Sequence, residues 1–399
     1  MHCDVLIAGG GIVGLSTAYQ IQQKYPDTKI IVLEKESEVA FHQTGHNSGV
    51  MHSGIYYKPG SYKAKNCIQG YNMLIEFCEQ HQINYHLIGK LIVASNTQEL
   101  EKLNTIYQNG IQNGLNRLSL LSKEEAKEIE PNLSCEKAIW VPHTGIIDYK
   151  KVAKRLEYQI EHNESSVLTE KKIISVNEYP GKIVIKCADQ SEYATTFFIN
   201  CAGLQSDRIA RMSGLNTNFR IIPFKGNYFN LKPEKKDIVK HLIYPVPDPQ
   251  FPFLGIHYTR LINGDQTLGP NAVLVLDREG YHSASFNYKD AYDIFSYPGF
   301  WKLIRKHWKM GMSEYMRNYS KSYFAKKASL MTPGIKPDDL EPGHSGIRAQ
   351  VIDRDGNMVE DFVCLRKNKM IHVCNAPSPA ATAGLSIGKQ IADWYDEMK

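Results

Sequence analysis

The sequence predicts an α/β protein, a Rossmann-like nucleotide-binding domain with an interleaved antiparallel-sheet domain. Three observations carry this expectation. A glycine-rich turn joins a strand to a helix at the front of the chain. A second apolar strand ends in a small-residue turn near residue 200. Between them and the carboxy terminus lie stretches rich in β-branched and aromatic residues with proline turns, such as 243–258, which read as an antiparallel sheet. At 399 residues the chain is long for one core and suits two domains.

The first element is the strand from Val5 to Ala8, followed by helical spacing at Ile12, Leu15, Ala18, Tyr19 and Ile21 and a second apolar run from Ile30 to Leu33. Gly9, Gly11 and Gly14 fill G-x-G-x-x-G at the first turn. Gly9 serves the tight turn, Gly11 lets a pyrophosphate touch backbone, and Gly14 lets the helix meet the strand. An anion there sits on the helix amino terminus, where unpaired N–H groups favour negative charge. Glu34 ends the second strand 20 residues beyond Gly14, in place to accept hydrogen bonds from an adenosine ribose.

After Lys35 the chain lacks the further crossover helix that an NAD domain would supply. Instead it enters "TGHNSGVMHSGIYYKPG", residues 44–60, dense in glycine and short polar side chains. Such a stretch fits a loop wrapped around a polar ligand, with Asn47, Ser48 and Gly49 meeting the pyrophosphate and flavin side of FAD. The run Thr196–Asn200, the turn Cys201-Ala202-Gly203 and a helix carrying Asp207 add a late strand to the dinucleotide sheet. Near the end, "KMIHVCNAPSPAATAGLSIGKQIADWY" reads as strand, Pro/Ser loop and helix from about Ala381, so that Ala380, Ala381 and Thr382 form a helix amino terminus facing the flavin. FAD is the favoured cofactor.

Composition closes other classes. The net charge of +5 is too mild for nucleic-acid binding. The eight cysteines are scattered without C-x-x-C pairs or histidines at ligand spacing, so reduced thiols and no metal site are expected. No secretory or transit segment is evident, and no apolar run reaches the roughly 18 residues of a membrane span, which points to a cytoplasmic protein.

With these pieces in place the chain resembles the L-2-hydroxyglutarate dehydrogenase/oxidase family, FAD proteins of the wider D-amino-acid-oxidase and glycine-oxidase type. The resemblance covers nearly the whole chain and rests on "HQTGHNSGVMHSGIYYKPGS" (42–61), "GKLIVA" (89–94), "PHTGIIDY" (142–149), "NCAGLQSDRIA" (200–210), "IYPVPDPQFPFLGIHYT" (243–259), "LGPNAVL" (268–274), "GIRAQVIDRDGNMVEDF" (346–362) and "NAPSPAATAGLSIG" (375–388). One departure stands out. The family's F-R-G-[DE]-Y appears as Phe224-Lys225-Gly226-Asn227-Tyr228, exchanging a planar guanidinium for a point charge and an acid for a neutral amide. Residues 282–335 match only loosely.

The resemblance implies a glycine-oxidase-like fold and oxidation of a five-carbon 2-hydroxy diacid, with hydride passing from C2 to flavin N5 and electrons then to oxygen or a membrane quinone. Such a reaction needs a base at the hydroxyl and cations for two carboxylates. His52 is the first candidate base and His257 the second, while His46 and His143 orient loops. Arg348 in "GIRAQ" is the leading carboxylate clamp. Tyr56, Lys225, Arg260 and Arg278 are candidates for the distal carboxylate. An amino-acid or amine oxidase of the glycine- or sarcosine-oxidase type is the alternative, and a flavoprotein that binds without turnover is a further one.

The FAD-binding domain is expected to be discontinuous, over 1–75, 150–215 and 340–399, with the substrate domain over 76–149 and 216–339. Residues 291–330 hold eight Lys/Arg against Asp293 and Glu314, a net +6, with Phe300, Ile304, Trp308, Met312 and Met316 recurring every four residues. This basic helical insertion reads either as a peripheral membrane contact or as helices packed on the substrate sheet with a solvated basic face, the second being favoured.

Overall fold

The computed structural model describes the chain except residues 163, 248–254, 282–284 and 318–319, and except the side chains of 309, 310 and 312–317. Part of the expected strand region 243–258 therefore lies outside the described residues.

Apolar runs of the kind found at 5–8 and 30–33 suit strands buried on both faces, and the first sheet uses them so. Five strands run parallel in the order Ser166–Leu168, Ile30–Leu33, His2–Ala8, Glu192–Asn200, Met370–Asn375. The hairpin Ile173–Tyr179 and Lys182–Cys187 and the edge strand Val363–Lys367 complete its eight strands. Val5, Ile7, Val32 and Ile199 bury their side chains against the helices Ile12–Lys24, Tyr149–Glu161 and Ala380–Met398. Leu6, Ala8, Ile31, Leu33 and Phe198 face the hairpin instead.

The nine-stranded second sheet is built on one long antiparallel pair, Phe219–Leu231 with Leu340–Asp353, in register from Phe219↔Asp353 to Leu231↔Leu340 apart from a bulge between Asn227 and Phe229. The expected boundary at residue 340 is thereby corrected. Residues 340–353 belong to this sheet because their alternate side chains Ile347 and Val351 pack with Ile221 and Leu204. Beyond Phe229 and Asn230 follow Gln266–Gly269, His257–Arg260, Leu242–Pro245, Lys90–Ala94, Lys137–Val141 and Ser119–Ser122.

Side chains alternate across a strand, and the register here sorts them cleanly. Leu91, Val93, Ile243, Tyr258, Leu268 and Phe229 share one face and close over Phe324, Ala325 and Ala328 of the helix Lys321–Ser329. The intervening Lys90, Tyr244, His257 and Tyr228 are thereby turned to the opposite face.

The helix Pro298–Arg317 lies on the sheet through Phe300 and Leu303, which pack with Ile222 and Ile352. Lys302, Arg305 and Lys306 face outward. Of the expected stripe, Phe300 is buried, Ile304 is half-buried and Trp308 is 55% exposed, while the Met312 and Met316 side chains lie outside the described residues. No helix of the described residues is long and apolar enough to cross a membrane.

A buried ion pair joins the two sheets, and it corrects two expectations. Arg278 and Asp207, expected at substrate and cofactor, instead hold each other through Nη1–Oδ1 at 2.5 Å and Nη2–Oδ2 at 3.1 Å, with 1% and 0% of their side chains exposed. Arg278 also donates to the carbonyls of Leu204 and Ile221 and to Asp293, and Asp207 accepts the Ile221 N–H. Burial would raise the Asp207 pKa, but the Arg278 charge and its hydrogen bonds outweigh burial and hold it below the usual carboxylate range. Both groups are occupied by one another and by neighbouring protein atoms. Removing Arg278 leaves buried Asp207 only the longer 3.5 Å contact to Arg211, so Arg278→Met should cost about 3 kcal/mol of stability in denaturant unfolding. The double variant Arg278→Met/Asp207→Asn should recover part of that loss.

Candidate cofactor and substrate site

The amino-terminal turn has the geometry of a phosphate cradle. Gly9 adopts φ +107°, and a Cβ on Gly14 would lie 2.0 Å from the Gly9 carbonyl, so the helix can approach the strand this closely only without a side chain. Gly11, in contrast, has room. An added Cβ there meets only the Thr44 hydroxyl, at 3.4 Å; Gly11 has no side chain to cap the helix Ile12–Lys24, and the Thr44 hydroxyl accepts one first-turn N–H, that of Ile12, at 3.0 Å. The rest of the helix amino terminus beside bare backbone fits a pyrophosphate. Glu34 is buried, with Oε2 accepting the Gly10 N–H at 2.7 Å and Oε1 the Glu36 N–H at 3.0 Å. Each oxygen keeps a lone pair for a ribose hydroxyl.

The loop after Thr44 is braced from within. Asn47 donates to the Gln43 and Thr44 carbonyls and accepts the Gly49 N–H at 2.8 Å, so its amide is spent on the loop, a correction to its expected cofactor contact. Gly49, at φ +66°, has its N–H on Asn47 and its carbonyl on the Ile147 N–H, so this turn is held rigid. The Ala202–Gly203 turn abuts Gly9, where a Cβ would lie 2.5 Å from the Cys201 carbonyl. The helix Ala380–Met398 starts behind Pro379 without a side-chain cap. Thr382 is buried there, accepting the His52 N–H at 3.1 Å and sharing a 2.8 Å hydrogen bond with the Tyr149 hydroxyl. Its hydroxyl therefore ties the helix to the His52 strand-end, while the Ala380 N–H is bonded to the Pro377 carbonyl. These features together fit FAD.

A second set of side chains converges beside this turn. His52 and Tyr56 follow the short strand Val50–Met51, and the Lys90 ammonium lies 4.6 Å from the Tyr56 ring centre and 5.0 Å from that of Tyr244. Tyr244 stacks on His257 at 3.9 Å. His257 Nδ1 lies 2.8 Å from the Gly255 carbonyl, and since a carbonyl only accepts, Nδ1 carries the proton and Nε2 keeps its lone pair. Arg348 acts electrostatically on His257, Tyr228 and Tyr244. The Tyr56 hydroxyl is buried without a hydrogen-bond partner among the described residues.

Burial dominates the charges here. It pushes His52 down to about 3, helped by the neighbouring Lys90 and His257. It pushes His257 to about 3 as well, against the Gly255 hydrogen bond and with the help of Arg348 and Lys90. Both imidazoles are neutral at physiological pH. Burial lowers Lys90 to about 7 and lowers Arg348, which as a guanidinium stays charged.

Of the expected substrate residues, the fold brings together His52, Tyr56, His257 and Arg348, and sets the others aside. Arg260 is three residues beyond His257 on the same strand, hence on the Tyr258 face, away from the site. Lys225 pairs across from Ile347, one position off Arg348 and so on the opposite face, where its ammonium donates to the Gly280 and Tyr281 carbonyls. His46 stacks on Tyr281 and His143 bonds the Asn116 carbonyl, each joining its loop to another segment. Lys90 escaped the sequence reading. Its only signal was a charged residue opening an otherwise apolar strand.

The model of the family described as FAD dependent oxidoreductase matches residues 4–394. L-2-hydroxyglutarate dehydrogenase of Indibacter alkaliphilus is 46% identical over 99% of this chain and 99% of its own. Among solved structures, L-alpha-glycerophosphate oxidase of Mycoplasma pneumoniae with FAD bound aligns with TM-score 0.80 at 22% identity, covering 99% of this chain and 95% of that one. Glycine oxidase of Geobacillus kaustophilus aligns with TM-score 0.73 at 14% identity, covering 100% and 95%. At these identities the two structures speak to the fold alone, and it is the glycine-oxidase type.

The room at Gly11 separates folding from cofactor binding. Gly11→Ala places a methyl group in ordinary contact with Thr44, so unfolding should change by less than about 1 kcal/mol. The same methyl group intrudes where backbone must touch pyrophosphate, so the variant should purify with most of its flavin absorbance lost.

Proposed function

The chain belongs to the FAD-dependent oxidoreductase family, and from that premise we propose that it oxidises L-2-hydroxyglutarate to 2-oxoglutarate. The observation that carries this reading is His257, a buried neutral imidazole with its tautomer held by Gly255, stacked on Tyr244 and acted on by the Arg348 charge. A relative at 46% identity over 99% of both chains, named L-2-hydroxyglutarate dehydrogenase, supports the substrate.

Gly9, Gly11, Gly14, Glu34, Ser48, Ala202, Gly203 and the start of the Ala380–Met398 helix would hold FAD. Bound FAD supplies the acceptor for the hydride that leaves C2. Arg348 grips the carboxylate next to the hydroxyl through paired hydrogen bonds, which fixes the orientation of C2. His257 Nε2 accepts the hydroxyl proton, and His52 flanks it as a second neutral imidazole. The Tyr228 and Tyr244 rings wall the pocket and exclude water from the developing carbonyl.

Anaerobic addition of L-2-hydroxyglutarate should bleach the flavin spectrum of the purified protein, and bleaching by glycine or sarcosine alone would favour an amine oxidase instead. His257→Ala should lower kcat by about 10²–10⁴-fold with flavin content unchanged.

For the electrons we propose delivery at a membrane surface, to a quinone, with oxygen the competing acceptor for a cytoplasmic protein. The support is a patch of exposed aromatic residues, Phe286, Tyr288, Tyr292, Phe295, Trp301 and Trp308, set among Lys289, Lys302, Arg305 and Lys306. Aromatic rings with basic neighbours suit an anionic lipid interface. The protein should co-sediment with vesicles containing phosphatidylglycerol and not with neutral ones, and Trp301→Ala/Arg305→Glu should release it.

A further inference from the structure

We propose that Lys90 selects the dicarboxylate, acting as the counter-charge for the substrate carboxylate remote from the hydroxyl. The inference rests on the oxidation of L-2-hydroxyglutarate and assigns a residue to its second acid group.

Lys90 opens the strand Lys90–Ala94 and is 1% exposed. On its face of the sheet lie Leu242 and Tyr244, and above it Ile55 and Tyr56. Among the described residues it meets no carboxylate. Its surroundings are the Tyr56 and Tyr244 rings, the neutral imidazoles, and the Cys67 thiol, which burial pushes up to about 12 and which therefore carries no charge. Attraction to two aromatic faces returns only part of the hydration that a buried ammonium gives up. A buried cation is held at a cost unless something anionic arrives.

Its position decides what arrives. The Lys90 ammonium lies 5.0 Å from the Tyr244 ring, and that ring stacks on His257 at 3.9 Å, so an acid group held at Lys90 sits one aromatic ring away from the imidazole. The charges of Lys90 and Arg348 both act on His257. No described carboxylate contributes to the field at His52, Lys90 or His257. Among the described residues the pocket thus holds the Lys90 cation with no acid of its own beside it. The orphaned Tyr56 hydroxyl beside Lys90 gives the same acid group a hydrogen-bond donor. A monoacid would leave Lys90 buried and unmatched, the condition under which an absent polar group is rejected most strongly.

The test compares L-2-hydroxyglutarate with L-2-hydroxypentanoate, which has the same carbon chain without the second carboxylate. In Lys90→Met, kcat/KM for the diacid should fall by about 10²–10³-fold, mainly through KM, while that for the monoacid changes less than about fivefold. Lys90→Arg should restore part of the diacid preference. Glutarate, which cannot react, provides a reading independent of turnover. It should perturb the flavin spectrum of the wild type and raise its melting temperature, and do neither at the same concentration in Lys90→Met or Lys90→Gln. Because the ammonium is the binding form and burial lowers it to about 7, the wild-type KM for the diacid should climb as pH rises above that value. The climb should be absent from Lys90→Met. Equal loss of kcat on both acids, or unchanged glutarate binding in Lys90→Met, would overturn the inference. Glutarate binding that depends on Lys90 in a protein that L-2-hydroxyglutarate does not bleach would instead sink the reaction and leave the anion site standing.

Discussion

The pairing register of the second sheet is the constraint on which the site depends. Its period of two has no tolerance. With Leu91, Ile243, Tyr258 and Leu268 held against the Lys321–Ser329 helix, the alternate positions have to supply the pocket wall. A slip of one residue would drive Lys90 and His257 into an apolar core and turn leucines toward the flavin. Hydrophobic packing on the back of the sheet thus positions the chemistry on its front. Arg348 joins the group from the long neighbouring pair 219–231 and 340–353, where it lies across from Phe224 and so on the face that Phe224 shares with Tyr228.

The electrostatics follow from the same enclosure. An enzyme that removes a proton from a hydroxyl near neutral pH needs an uncharged base, and here burial keeps two imidazoles uncharged. Placing cations beside them deepens the effect, because Lys90 and Arg348 oppose a third positive charge. An arriving dianion reverses that opposition. It neutralises the cations, and so raises the basicity of the imidazole at the moment a proton has to be taken.

Legibility in the sequence tracked the range of the interaction. The strand–glycine–helix unit could be read because Gly9, Gly11, Gly14 and Glu34 act within 26 residues of one another, and their roles follow from backbone geometry. The core positions of the parallel strands were equally plain, since both faces are buried and the apolar runs are unbroken. The failures were long-range. Arg278 looked like a spare cation until Asp207, 71 residues earlier, proved to be its partner. Lys225 answers to carbonyls at 280 and 281. Arg260 sits close to His257 in sequence, yet strand parity sends it to the other face. Lys90 was passed over because one lysine at the edge of an apolar strand ordinarily reaches water, and only the approach of Tyr56 and Tyr244 closes that route.

The Asp207–Arg278 pair also bears on how such a protein can change over time. Its members come from segments that serve different sheets, and each is sealed from solvent. Domains joined through wet, polar surfaces can be exchanged between ancestors as cassettes. Here a foreign substrate domain without the arginine would leave the buried acid only the longer contact to Arg211. Substitutions along the pocket face leave this joint untouched, whereas exchange of either half breaks it.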